Sequence, residues 1–195
     1  MKKHPICRVC ILRILSTFLI IAFGVFLLPL RTESAPRIDL VNPMSGLLGF
    51  GLGGSREGIP EQAETLRLEY LETRILREGD GRDDLITDFY TGRIWGQQAL
   101  IYLSSRGVRI RNMMLEFKQV RKGEEFTDAI RIALSDKLGE PSSSTREVAG
   151  RRPDYVHIHR TIWRFGDIEA VLTARNPDKD TRQDISLSYY LTAIR

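Results

Sequence analysis

Beyond Cys10 the chain contains no cysteine. Everything downstream therefore lacks disulfides and thiolate metal ligands, and the single C-x-x-C, Cys7 with Cys10, lies in a short basic N-terminal run where a redox pair has no folded setting. No cysteine closes the apolar run that follows, so direct lipid attachment of the kind seen in bacterial lipoproteins is not expected. Histidine is nearly as scarce, with three residues, and only six of the 29 cations are lysines, which makes arginine the default solubilising charge. An excess of one charge sign is missing too. Residues 1–34 hold five of the 29 bases and one of the 25 acids, leaving 24 of each in the remainder. A neutral remainder has no overall field for phosphate, which argues against nucleic acid as a partner.

What the N-terminus does have is the pattern of an export segment. Lys2, Lys3, Arg8 and Arg13 precede seventeen uncharged residues, Ile14 to Leu30, with Pro29 near their end. Residues 1–34 read as a signal peptide cut after Ser34, or as an N-terminal membrane anchor at the short limit of a spanning helix. Either way the positive flank keeps that end inside, so the rest is expected in the periplasm or on the extracytoplasmic face of the inner membrane. Membrane contact is expected through this segment alone.

Residues 35–54, rich in glycine with Pro36 and Pro43, read as a lead-in. Residues 55–195 read as one exported domain, divisible into modules 55–120 and 121–195. A helix is expected from Pro60 to Arg77 on the stripe Leu68, Leu71, Ile75, although Leu66 and Tyr70 fit strand alternation equally well. Strands are expected between residues 85 and 118, with a turn at Ser104 to Gly107 and a bulge near Asn112. The segment "EEFTDAIRIALSDKL", Glu124 to Leu138, is the clearest helix: Phe126, Ile130, Leu134 and Leu138 form its apolar face, and Gly139 then Pro141 end it. A polar loop follows, then strands Tyr155–Phe165, Ile168–Ala174 and Ile185–Ala193. The expected class is α+β, an antiparallel sheet with two helices on one face, built from two helix-plus-three-strand modules.

Candidate chemistry is sparse. In "YVHIHRTIWRF" strand alternation puts Tyr155, His157, His159, Thr161 and Trp163 on one face. Two imidazoles so placed suit zinc, copper or nickel, but a third ligand would have to be a carboxylate such as Asp154 or Glu169. "GFGLGG" matches the dinucleotide fingerprint formally, yet Pro43 and Pro60 interrupt the strand and helix that phosphate binding needs. "GGSRE" has Glu57 where a nucleophile elbow needs glycine. With no catalytic set, the chain reads as non-enzymatic and without a cofactor. Trp95, Tyr155 and Trp163, with Arg151 and Arg152, are the candidate interface residues.

The helix ending in "LSDKLGEPSSS", Trp163 on the next strand and the later "ISLSYY" resemble exported bacterial α+β domains of the small outer-membrane assembly lipoprotein and β-lactamase-inhibitor-protein types, over residues 124–191. That resemblance implies binding rather than catalysis. The expected function is a binding or interaction domain of the bacterial cell envelope with an envelope protein as partner. The alternative is a periplasmic small-ligand or metal-binding protein using His157 and His159.

Overall fold

Pro60 opens a helix that Arg67 brings to an early end. In the computed structural model, which describes residues 36–77, 83–150, 155–177 and 182–192, helix α1 covers only Ile59–Thr65, with proline in its first turn. Arg67 takes a left-handed φ of 55°, and the chain leaves as strand β3, Glu69–Leu76. Of the two patterns legible here, alternation holds and the helix over 60–77 does not. An edge strand does not need a buried face, so its alternation is weak.

The second helix, α2, spans Gly123–Leu138 and buries Phe126, Ile130 and Leu134. Gly139, at φ 84°, ends it in a conformation that disfavours a side chain. Its first residue is also constrained, because an added Cβ at Gly123 would lie 2.4 Å from the Gln183 Cβ. The helix start thus presses directly on the sheet.

Nearly everything else is strand. A small hairpin, β1 (Gly46–Leu47) and β2 (Phe50–Gly51), precedes α1. β4 (Leu85–Ile94), β5 (Gln97–Arg106) and β6 (Arg109–Arg121) continue from β3 as a meander. After α2 come β7 (Ser143–Ala149), β8 (Val156–Phe165), β9 (Ile168–Pro177) and β10 (Arg182–Leu191). All eight long strands form one antiparallel sheet in the order β3-β4-β5-β6-β10-β9-β8-β7. The seam is β6 against β10, with Phe117 opposite Ile185, Leu115 opposite Leu187 and Met113 opposite Tyr189.

This corrects the expected α+β class. Strand occupies 57% of the described residues and the helices are two short elements, so the fold is mostly β. Two strands account for the difference. β3 replaced most of a helix, and β7, "SSTREVA", carries too little apolar residue to announce itself among loop residues. The bulge expected near Asn112 is present: Ser104 faces Asn112 and Ser105 faces Ile110, which leaves Arg111 as the extra residue. The hairpin itself turns later than expected, with Arg106 opposite Arg109.

The core lies on one face of the sheet. Ile101, Leu103, Met113, Leu115, Phe117, Leu172, Ile185 and Leu187 are 2% exposed or less. Leu47, Leu48 and Phe50 from the β1–β2 hairpin, with Ile59 and Ala63 from α1, join the same cluster as the buried face of α2. The cover over the first half of the sheet is therefore shared between this small hairpin and the short α1. Among the described residues no helix is long and apolar enough to cross a membrane. Residues 1–34, including Cys7 and Cys10, lie outside the described residues.

Candidate interaction face

Along β10 burial alternates: Gln183, Ile185, Leu187 and Tyr189 are buried while Asp184, Ser186, Ser188 and Tyr190 are not. Carried through the registers, that parity gives the sheet one covered face and one open face. The hairpin, α1 and α2 all bury against the first. The second is uncovered by any element among the described residues.

The open face is organised by cross-strand pairs. Phe89 on β4 stands opposite Tyr102 on β5, and the two rings meet edge to face at 5.1 Å between centroids. The Arg74 guanidinium sits 4.8 Å above the Phe89 ring. Tyr102 Oη donates to Glu116 Oε2 at 2.7 Å, and Lys118 Nζ lies 2.6 Å from Glu116 Oε1. In the other half of the sheet Tyr190 Oη donates to Glu169 Oε1, while Arg164 Nε donates to Glu169 Oε2 at 2.6 Å. Each half of the face thus carries a tyrosine, a glutamate and a cation in one hydrogen-bonded set.

The environments set the charge states. Burial pushes the Glu169 carboxyl up, but hydrogen bonds from Tyr190 and Arg164, with the Arg164 charge, outweigh it and hold the group below the ordinary carboxylate range. Glu116 is treated alike: burial raises it, and hydrogen bonds from Lys118 and Tyr102 bring it lower than usual. The tyrosines move the other way. Burial, then the hydrogen bond to its glutamate, pushes each of Tyr102 and Tyr190 up to about 12.

A tyrosine whose folded pKa is raised contributes stability below its unfolded value, near 10, and that contribution is lost as pH rises through the folded value. Alkaline titration of tyrosinate absorbance should therefore show late ionisation, and the Tyr102→Phe and Tyr190→Phe variants should each remove one late equivalent. If instead the lost equivalent titrates near 10, the pairing with glutamate is wrong.

The expected site residues are placed as follows. His157 and His159 share the covered-face side of β8 and line a groove of about 530 Å³ with Glu124, Asp128 and Arg146. His159 Nε2 is 2.9 Å from Ser144 Oγ. Burial, then the charges of Arg146 and Arg131, lowers its pKa despite the opposing pull of Asp128. Among the described residues no group of three or more His, Cys, Asp or Glu is placed to hold a metal ion. Glu169, weighed as a third ligand, is on the open face and is engaged by Tyr190 and Arg164.

Trp163 is 1% exposed, and its Nε1 donates to the Gly139 carbonyl at 3.2 Å. It is a core residue rather than a surface anchor. Trp95, in the β4–β5 turn, stacks on Phe117 at 6.0 Å and donates to the Asp39 carbonyl. Tyr155 is half-buried and immediately precedes β8. Arg151, Arg152 and Asp154 lie outside the described residues. Of the open-face residues, the sequence offers Glu169 only as a possible third metal ligand, and it does not point to Tyr102, Glu116 or Tyr190. Alternation assigns each to a side of its own strand, but only the register brings them together.

A larger cavity, about 750 Å³, lies between α1 and strands β3 and β4, with Arg56, Tyr70, Asp88 and Tyr90 in its wall. Its one buried carboxylate, Asp88, is taken up internally: Arg56 donates to both oxygens, at 2.8 and 2.7 Å, and Thr73 Oγ1 donates at 2.5 Å. Comparison of the chain with models of protein families, with curated proteins and with solved structures gives no match.

Proposed function

We propose that the chain is an exported, non-enzymatic binding domain of the bacterial cell envelope, and that another envelope protein docks on its open sheet face. The observation that carries this reading is the uncovered face with its two tyrosine–glutamate–cation sets. Tyrosine and arginine are the side chains that protein interfaces favour. Here they are already held by hydrogen bonds, so docking orders little that was free. The same pairs keep the glutamates ionised and the tyrosines protonated well beyond neutral pH, the reverse of the near-neutral pKa that proton transfer uses. The export pattern of residues 1–34 supports the envelope location, and the balanced charge beyond them supports a partner other than nucleic acid.

Photo-crosslinking groups placed in cells at Met114 and Val171, both on the open face, should capture an adduct of one common mass. A group at Ile132, exposed on α2, should not, and Ser188→Arg should abolish capture at the first two positions. Equal capture at Ile132, or none at Met114 and Val171, would remove the reading. The alternative, a ligand or metal protein using His157 and His159, is supported by the groove that both line with Glu124 and Asp128. Saturable zinc or nickel binding by the purified chain, lost in His157→Ala, would favour it.

A further inference from the structure

Both ends of an open sheet present a strand with one unmatched row of backbone N–H and C=O groups, and proteins usually blunt such edges with charge, proline or short length. Here the two edges differ. β7, with sequence "SSTREVA", is short and polar, and antiparallel pairing with a copy of itself about its middle residue would set Arg146 against Arg146. β3, "EYLETRIL", carries no proline or lysine. Four of the nine large hydrophobic residues that are exposed among the described residues belong to it: Tyr70 at 54%, Leu71 at 47%, Ile75 at 57% and Leu76 at 60%.

Read with Arg77, this strand is complementary to its own reverse. Two-fold symmetry in an antiparallel strand pair requires one residue to face its own copy, since opposite residues sit at the centres of the hydrogen-bonded rings. With Thr73 at that centre, Glu72 faces Arg74 of the copy, Leu71 faces Ile75, Tyr70 faces Leu76 and Glu69 faces Arg77. In sequence each charge is set against its opposite and each apolar residue against another, although the outer rungs are displaced by a bulge at Leu71.

We infer that β3 is a self-association edge, on which a second copy of this chain pairs antiparallel about Thr73 to continue the sheet across a two-fold axis. The faces agree with this register at its centre. Glu72 pairs with Phe89 and Arg74 with Thr87 on β4, which puts both charges on the open-face side. Their side chains are 49% and 70% exposed and already pair with each other within one copy. Addition of the copy turns that pair into a four-charge checkerboard of alternating sign. Leu71 is the extra residue of a bulge against β4, so the central rungs, Glu72 to Arg74, carry the specificity. The inference uses the edge of the sheet and does not depend on the open-face reading.

The test uses the full chain in density-matched detergent. The native sequence should sediment at twice the 22.3 kDa chain mass. Glu72→Arg, which sets like charges together twice per dimer, should weaken self-association by about tenfold or more. Adding Arg74→Glu to it should restore the dimer, since the swap recreates complementarity. Thr73→Cys, made with Cys7 and Cys10 changed to serine, should give a covalent dimer on mild oxidation, and Ser144→Cys on β7 should not. A native chain that stays monomeric at its highest soluble concentration overturns the inference, as does a dimer that Glu72→Arg leaves intact. The charge swap decides the matter even where the Thr73 variant folds poorly, because Glu72 and Arg74 are surface positions.

Discussion

Replacing Trp163 by alanine is expected to cost about 3–5 kcal/mol of folding stability, the range for removing a buried large aromatic side chain. The indole is 1% exposed and stands on β8 opposite Ala170 of β9, a residue small enough to leave it room. Its Nε1 reaches past the sheet to the Gly139 carbonyl at 3.2 Å, at the point where α2 ends. One side chain therefore fills the core and holds the end of the helix that covers it. Trp163→Phe keeps much of the apolar area but loses the donor, and should fall about 1–2 kcal/mol short of the native protein. Urea denaturation followed by circular dichroism measures both. A loss below about 1 kcal/mol for the alanine variant would mean that the helix end is held by other contacts.

The second large effect belongs to Asp88, which is 4% exposed. Alanine there leaves the Arg56 fork and the Thr73 hydroxyl without their shared acceptor. Breaking a fully buried ion pair costs about 3–5 kcal/mol. Arg56 keeps 35% of its side-chain surface in water and can rehydrate, so about 2–3 kcal/mol is expected here. The damage should also be local. Thr73 sits on β3 and Arg56 in the turn before α1, so hydrogen exchange should speed up in the β3 amides while those of β8, β9 and β10 keep their protection. Uniformly faster exchange would show that Asp88 supports the whole sheet rather than its first edge. Asp88→Asn, which retains an acceptor for Thr73, should lie between the two.

Which parts of this molecule were legible beforehand follows from where each residue meets water. α2 was readable because Phe126, Ile130 and Leu134 recur at helical spacing against a polar opposite face, and all three are buried. β8, β9 and β10 were readable because one of their faces is in the core, so burial imposes alternation. The edge strands gave no such signal. β3 exposes nearly every residue, so Leu71 and Ile75 could extend from Leu68, just before the strand, to imitate a helical stripe, and β7 is polar throughout its first half. The candidate face was hidden for a different reason. Tyr102 and Glu116 are brought together by the β5–β6 register, and Tyr190 and Glu169 by the β10–β9 register. A register is a property of strand pairs, and no single stretch of sequence contains it.

The order of the strands also fixes an order of assembly. Each meander, β3 to β6 and β7 to β10, joins strands that are neighbours along the chain, so its loops close at small entropic cost. The seam is the exception: Tyr190 must find Asn112 and Ile185 must find Phe117, across the whole intervening helix and half-sheet. Its closure is the late, non-local step, and the strand that completes it, β10, is the last strand of the described chain yet lies at the middle of the sheet. Until residues 182–191 have been synthesised and are free to pair, β6 offers Met113, Leu115 and Phe117 on a bare edge. A nascent or truncated chain is then two adhesive half-sheets, and it must be shielded from pairing with other chains until its final strand arrives.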